Sequence, residues 1–131
     1  MSKVLIAEDN PVNRELLREL LEIRGFSVIE AGDGQAALRL LEESRPDILL
    51  LDLDMPVLDG FATVRRIREN PAWASLPVLA VTAYAMQGDR EKVLASGFDG
   101  YQSKPIKAST LVEEMERLLT RRQSAKAGSR P

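Results

Sequence analysis

The sequence contains neither cysteine nor histidine. The lack of cysteine excludes disulfide bonds, thiolate nucleophiles and zinc sites built on cysteine. The lack of histidine removes the commonest general base and the commonest ligand of transition metals. Any chemistry must therefore use carboxylates, hydroxyls and lysines, and any bound metal should be a hard cation that prefers oxygen ligands.

Long hydrophobic runs and an excess of one charge are also missing. The N-terminal segment MSKVLIAEDN has an apolar run of about four residues, too short for the core of a signal peptide. The longest apolar stretch, Ile48 to Leu51, is far too short to span a bilayer. With 18 Lys and Arg against 20 Asp and Glu, the net charge is −2, which indicates no nucleic-acid or membrane surface. We therefore expect a cytoplasmic protein without nucleic-acid or membrane partners.

Short apolar segments alternate with longer amphipathic ones along the 131 residues. This pattern predicts five strands, with helices between and after them. The strands are expected at Lys3–Ala7, Ser27–Ala31, Asp47–Asp52, Leu76–Thr82 and Gly100–Lys104. The third strand is the most apolar and should be central, whereas the second should lie nearer an edge.

Helix boundaries are indicated by capping residues. Asn10 followed by Pro11 predicts the start of the first helix, and Asp59 is expected to cap the third. Gly25 should end the first helix, because glycine tolerates the left-handed conformation found after helices. The fourth helix is expected over about residues 86–95 and the fifth over about residues 108–121.

Five βα units predict a doubly wound parallel sheet with helices on both faces. Two strand orders fit this pattern, and in the order 2-1-3-4-5 the switch point lies between the first and third strands. We expect one domain over residues 1–121 and a flexible tail over residues 122–131, which lack apolar periodicity. Met1 lies just before the first strand, which favours a stand-alone gene product.

Polar residues follow or end four of the predicted strands. Each alone is more often a turn residue, a helix cap or a solvated loop residue. Because parallel strands end at the same edge of a sheet, however, all of them should converge there. They are Glu8, Asp9, Asp52, Thr82 and Lys104.

Three carboxylates at one edge must be protonated, solvated or neutralised by a cation. Oxygen ligands alone favour Mg²⁺ or Mn²⁺. A nearby lysine and threonine hydroxyl suit an additional anion, and beside a divalent metal the most plausible anion is a phosphoryl group. The residue types therefore predict chemistry on a phosphoryl group.

Four motifs resemble those of the receiver domain of two-component response regulators. They are AEDN after the first strand, DLDMPVLDG after the third, VTA after the fourth and SKP after the fifth. Each motif is weak alone, but their order and spacing are specific, and the resemblance covers about residues 3 to 121. It implies a (βα)5 flavodoxin-like fold with strand order 2-1-3-4-5, which selects between the two orders.

The resemblance also implies roles for single residues. Asp52 is similar to the phosphoacceptor, whose carboxylate attacks the phosphorus of a phosphohistidine. Asp9 is similar to a direct Mg²⁺ ligand, and Glu8 to an acidic neighbour that acts mainly through water. The backbone carbonyl of Asp54 and the Asp52 carboxylate complete the implied protein ligands, while the acidic side chain of Asp54 is expected to influence hydrolysis of the acyl phosphate.

Four more positions match the family. Thr82 and Lys104 are similar to the residues that hold the phosphoryl oxygens. The bond between Lys104 and Pro105 matches a Lys-Pro bond that is usually cis in the family. Tyr101 is similar to the aromatic switch residue, which turns inward when Thr82 moves toward the phosphoryl group. This movement is expected to change the face formed by the fourth helix, the fifth strand and the fifth helix.

The implied partners follow from the same resemblance. Because the chain has no histidine, the phosphodonor must be a histidine kinase or a histidine phosphotransfer protein. The switching face is expected to bind a downstream target protein or to support an onward phosphorelay, with the chain as a monomer or a weak dimer through that face. The protein should not be an enzyme, apart from catalysing its own phosphorylation and dephosphorylation.

Other functions remain as alternatives. A hydrophobic run followed by Asp-x-Asp also marks haloacid-dehalogenase-type phosphatases, in which the first Asp is a nucleophile. Against this, Met55-Pro56 follows where that family has Thr or Val, and 131 residues leave little room for its cap. A flavodoxin-like binding module would need a phosphate loop where this chain has AEDNP. A receiver that acts as a scaffold without phosphorylation is the third alternative.

Overall fold

The computed structural model describes residues 2–53, 55, 58–83 and 89–128, with the side chains of residue 89 and residues 123–128 left out. In these ranges the chain forms five strands and five α-helices, with a short 3-10 helix at Pro71–Trp73. The strands are β1 (Lys3–Ala7), β2 (Ser27–Ala31), β3 (Ile48–Asp52), β4 (Val78–Thr82) and β5 (Gly100–Ser103). The helices are α1 (Pro11–Ile23), α2 (Gly34–Ser44), α3 (Gly60–Glu69), α4 (Asp89–Ala95) and α5 (Ala108–Gly128).

The strands form one parallel sheet in the order β2-β1-β3-β4-β5. This confirms the predicted fold class and strand order. Every residue of β3 is buried, as expected for a central strand, whereas β2 lies at an edge and buries only Ala31. The switch point between β1 and β3 leaves a crevice at the carboxyl edge of the sheet.

Two hydrophobic clusters cover the two faces of the sheet. Successive strand residues point to opposite faces, so Leu49 and Leu51 pack against α2, α3 and α4, while Ile48 and Leu50 pack against α1 and α5. These buried layers hold the strand ends in place, and the polar residues that follow the strands are therefore rigidly positioned.

The predicted helix caps are present. The Asn10 side chain accepts hydrogen bonds from the amides of Val12 and Asn13, and the Asp59 side chain accepts one from the amide of Ala62. Gly25 has a φ of 92° after α1, in the region that glycine adopts without strain. These contacts satisfy amides that a helix N-terminus would otherwise leave unpaired.

Some predicted boundaries differ from the structure. β4 begins at Val78 instead of Leu76, since Pro77 has no amide hydrogen to donate to a neighbouring strand. The predicted end of the last helix at Arg121 was wrong, because α5 continues to Gly128. Gln, Ala and Lys in this segment have favourable helix propensities and extend the helix without an apolar stripe. The predicted start of the fourth helix near residue 86 lies outside the described residues.

None of the helices in the described ranges is long and apolar enough to cross a membrane.

Candidate functional site

The ends of β1, β3, β4 and β5 meet at the carboxyl edge of the sheet. Backbone hydrogen bonds continue the ladder just past the strands: the Leu53 amide donates to Val81, and the Lys104 amide donates to Thr82. The Glu8 amide donates to the carbonyl of Ala31 on β2. The residues that follow the strands are therefore fixed by the sheet itself.

Three carboxylates lie together at this edge. One carboxylate oxygen from each of Glu8, Asp9 and Asp52 lies within 4.8 Å of the others. Glu8 is 2% exposed and Asp52 is 4% exposed, whereas Asp9 is exposed to solvent. The cluster therefore has two buried walls and one open side through which a ligand can approach.

Lys104 is the cation that faces these carboxylates. Its Nζ lies 2.8 Å from Glu8 Oε1 and 3.4 Å from Asp52 Oδ2. Burial lowers the pKa of Lys104, but the hydrogen bond to Glu8 and the charges of Asp52 and Glu8 outweigh it, so its pKa is raised above the usual value. Lys104 therefore stays an ammonium, and one ammonium against three carboxylates leaves excess negative charge when all are ionised.

The loop after β1 holds Glu8 through several contacts. Glu8 Oε2 accepts a hydrogen bond from the Asn10 amide at 3.3 Å, so Asn10 both caps α1 and orients Glu8. The carbonyl oxygen of Glu8 accepts a hydrogen bond from Arg14 Nη1 at 2.8 Å. A buried carboxylate with these partners is satisfied without leaving its position.

Thr82 and Tyr101 lie on the same face of neighbouring strands. Thr82 is fully buried at the end of β4, and Tyr101 is half-buried on β5 opposite Ala80. Residues two apart on a strand share a face, so the Tyr101 side chain lies on the Thr82 side of the sheet. The switch role expected of these two residues stays a prediction.

The remaining predicted site residues are Pro105 and Asp54. The peptide bond between Lys104 and Pro105 is cis. Asp54 lies outside the described residues, so its backbone carbonyl and its carboxylate stay predictions.

The structure also reveals site features that sequence reasoning missed. Arg14 was not predicted, because its contact is to a backbone carbonyl and depends on how α1 packs over the sheet. Leu16 is spaced with Leu17, Leu20 and Leu21 as in an apolar helical stripe, yet it is 59% exposed. It lines a groove beside Glu8 and Lys104, together with Leu20. The apolar spacing of α1 could not show which leucines face the core.

A family model matches this chain. The model describes the response regulator receiver domain and matches residues 4–116. Residues 4–116 include the acidic cluster and all of the sheet except Lys3, the first residue of β1.

Curated relatives agree with this match. The polar-differentiation response regulator DivK of Brucella anthropi is 37% identical over 116 residues, which is 88% of this chain and 94% of DivK. The hybrid signal transduction histidine kinase I of Dictyostelium discoideum is 45% identical over 118 residues, which is 85% of this chain but only 7% of the kinase. The chain thus spans nearly all of one relative and a small part of the other.

Solved structures show the same fold. The receiver domain of a sensor histidine kinase from Pseudomonas aeruginosa superposes with a TM-score of 0.84 and is 38% identical, covering 91% of this chain and 98% of that one. That structure contains a magnesium ion coordinated in the active site cleft. The chemotaxis response regulator CheY4 of Vibrio cholerae has a TM-score of 0.84 and 30% identity, covering 90% of this chain and 98% of that one.

Proposed function

The chain belongs to the response regulator receiver domain family of two-component signalling, and we propose that Asp52 is its phosphoacceptor. The observation that carries the proposal is the arrangement at the sheet edge. Asp52 is a buried carboxylate whose neighbours are two further carboxylates and the Lys104 ammonium. A carboxylate can act as a nucleophile without a general base, which suits a chain without histidine.

The donor set at this edge fits a divalent cation that prefers oxygen. Three carboxylate oxygens within 4.8 Å of one another provide hard ligands and excess negative charge. We propose Asp9 and Asp52 as direct ligands of Mg²⁺, Glu8 as a ligand through water, and the Asp54 carbonyl as a further ligand. Mn²⁺ would suit the same oxygens. When bound, the cation supplies positive charge that offsets the charge of phosphoryl oxygens.

The chain's own residues carry out the transfer. The Asp52 carboxylate attacks the phosphorus of a partner's phosphohistidine, an oxygen–phosphorus bond forms, the nitrogen–phosphorus bond breaks, and the imidazole leaves with the electron pair. The Lys104 ammonium, already 3.4 Å from Asp52, exchanges its contact with Glu8 for a phosphoryl oxygen. The Thr82 hydroxyl donates a hydrogen bond to another phosphoryl oxygen. Phosphoryl transfer requires mainly such positioning and charge neutralisation.

The same contacts produce the proposed switch. A phosphoryl group on Asp52 adds negative charge and acceptor oxygens, which draw Thr82 inward and make room for Tyr101 to turn in. The face formed by α4, β5 and α5 then changes its surface and binds a downstream protein or supports an onward phosphorelay. The chain is a monomer or a weak dimer through this face. Partner affinity should therefore rise when beryllofluoride and Mg²⁺ mimic the acyl phosphate.

The proposal is tested by phosphorylation with acetyl phosphate, a small phosphoryl donor. We expect intact-protein mass spectrometry to show one added phosphoryl group in the presence of Mg²⁺ and none with excess EDTA. Hydroxylamine should remove the group, as expected for an acyl phosphate, and peptide mapping should place it on Asp52. Steady hydrolysis of phosphomonoesters, with no phosphorylated protein, would instead indicate the phosphatase alternative.

We propose residues 1–121 as the receiver unit, acting in the cytoplasm, and the segment after residue 121, of which residues 122–128 continue α5, as an extension outside the site. The family match at residues 4–116 lies inside the first range.

The rim of the site also indicates where the phosphodonor protein docks. A phosphohistidine must come within bonding distance of Asp52, so the donor's surface must cover the rim around it. On one side of that rim, Val12 and Leu16 of α1 are 64% and 59% exposed. Leu16 lines the groove that reaches Lys104 and Ile106. Exposed apolar residues beside a polar site mark a protein contact.

Replacing Leu16 by glutamate should slow phosphotransfer from the partner kinase or phosphotransfer protein about tenfold or more, because a central apolar contact is lost. Phosphorylation by acetyl phosphate should stay within about twofold of wild type, because the small donor needs no docking surface. Ile23→Glu is the matched control, since Ile23 is 83% exposed on the same helix but about 10 Å further from the site. Equal loss in both variants would contradict this docking surface.

A further inference from the structure

Arg14 links the acidic loop to the edge strand of the sheet. Its Nη1 donates to the carbonyl oxygen of Glu8 at 2.8 Å, and its Nε lies 3.5 Å from Glu30 Oε1 on β2. The side chains of Arg14 and Glu30 are only 24% and 28% exposed. The guanidinium is thus held between a carboxylate on the sheet and the backbone of the loop.

We infer that Arg14 is a positioning residue, which fixes the peptide plane from which both Glu8 and Asp9 extend. This inference rests on the proposed function, in which these two residues help to hold a divalent cation. Arg14 is held by the Glu8 carbonyl and by Glu30, and not by the carboxylates of Glu8 and Asp9. It therefore acts through the peptide group that joins Glu8 to Asp9.

Peptide planarity makes this contact effective. The Cα atoms of Glu8 and Asp9 lie in one plane with the carbonyl that joins them. A hydrogen bond to that carbonyl therefore orients both side chains together. The Glu8 amide is already bound to Ala31, and Asn10 is held as the cap of α1. Arg14 binds the carbonyl of Glu8, which lies between these two held groups.

The next arginine on the same helix face differs in the contact that matters. Arg18 Nη1 lies 2.7 Å from Glu30 Oε2, and Arg18 Nε lies 3.8 Å from Glu22. Arg18 therefore has the same charge as Arg14 and the same partner, Glu30. Its guanidinium, however, is directed to Glu30 and Glu22. This makes Arg18→Met a matched control for the loss of a positive charge and of an ion pair with Glu30.

The sign of the expected effect separates positioning from simple electrostatics. Removing a positive charge beside an acidic cluster should strengthen cation binding if Coulomb attraction alone decided the outcome. Loss of a residue that orients the ligands should weaken it, typically tenfold or more, as for other residues that support metal ligands. Arg14→Met is therefore expected to weaken binding although it removes a repulsive charge.

The test measures Mn²⁺ affinity of the whole chain by electron paramagnetic resonance of free Mn²⁺. Arg14→Met should bind about tenfold more weakly than wild type, Arg18→Met should bind at least as tightly as wild type, and Arg14→Lys should recover part of the loss. Without metal, hydrogen exchange at the amides of residues 8–10 should accelerate in Arg14→Met and not in Arg18→Met. Glu30→Gln, which keeps Arg14 but weakens its anchor, should give a smaller loss.

Three results would overturn the inference. Unchanged or tighter Mn²⁺ binding in Arg14→Met, with normal binding by wild type, would overturn the role of Arg14 alone. Equal weakening in Arg14→Met and Arg18→Met would assign the effect to the ion pairs with Glu30. Absence of Mn²⁺ binding by the wild-type protein would overturn the proposed cation site and this inference with it. Should Arg14→Met fail to fold, Arg14→Lys and Glu30→Gln make the same comparison.

Discussion

Replacing Asp52 by asparagine should abolish phosphorylation by both acetyl phosphate and the partner phosphohistidine, with a loss of at least about a thousandfold in rate. A neutral amide is a poor nucleophile and cannot form an acyl phosphate. The fold should persist, because the amide has nearly the shape of the carboxylate it replaces. Asp52 shares its site with Glu8 and Asp9, so removing one negative charge also relieves repulsion. We therefore expect the urea midpoint to be retained or raised.

Asp59→Asn is the matched control for this substitution. Asp59 lies in the segment that follows Asp52 and β3, is exposed and caps α3, a role that asparagine also fills. Its phosphorylation rate should equal that of wild type. Phosphorylation of Asp52→Asn at a normal rate, on Asp9 or any other residue, would contradict the assignment of Asp52 as the phosphoacceptor.

Replacing Gly60 by alanine should lower the free energy of unfolding by about 3 kcal/mol, the upper part of the range for overpacked sites. A Cβ atom at Gly60 would lie 2.7 Å from the carbonyl oxygen of Asp52 and 2.7 Å from Cα of Leu53. Both are backbone atoms that cannot rotate away as a side chain would. Relief of the clash must therefore move the end of β3 or the start of α3.

The effect is measured by urea unfolding, with phosphorylation by acetyl phosphate as a second readout. Because the clash falls on the Asp52 backbone, the folded fraction of Gly60→Ala should also be phosphorylated more slowly than wild type. Gly32→Ala is the control, since a Cβ there would meet its nearest neighbour, Arg14 Nη1, at 3.5 Å. Its stability should change by less than about 0.5 kcal/mol. Equal stability of the two variants would contradict the close packing of α3 on β3.

Much of the site could be predicted because its residues lie at, or just after, the ends of strands. Glu8, Asp52 and Lys104 are far apart in the sequence, yet each follows or ends an apolar segment, and parallel strands bring such positions to one edge. The distances that join Lys104 to Glu8 and Asp52 confirm this convergence. The chemical roles of these residues stay proposals that the phosphorylation experiments test.

Other features could not be read from the chain because they depend on packing between elements. Leu16 and Leu17 are the same residue type in the same helix, yet Leu17 is 6% exposed and Leu16 is 59% exposed. Only the orientation of α1 against the sheet distinguishes the core leucine from the surface leucine. The length of α5 likewise depends on helix propensity beyond Arg121, where the apolar stripe that predicted the helix no longer continues.

The sequence by itself determined the order of elements, the parallel sheet and the set of polar residues at its carboxyl edge. Hydrophobic periodicity specifies strands and helices, and the lack of cysteine and histidine limits the chemistry to oxygen ligands and lysine. Only the tertiary structure decided that Arg14 holds the Glu8 carbonyl and that Gly60 must have no side chain. In both cases a side chain or a Cβ position meets the backbone of another element. Because the backbone is the same for nearly all residue types, the sequence does not indicate such contacts.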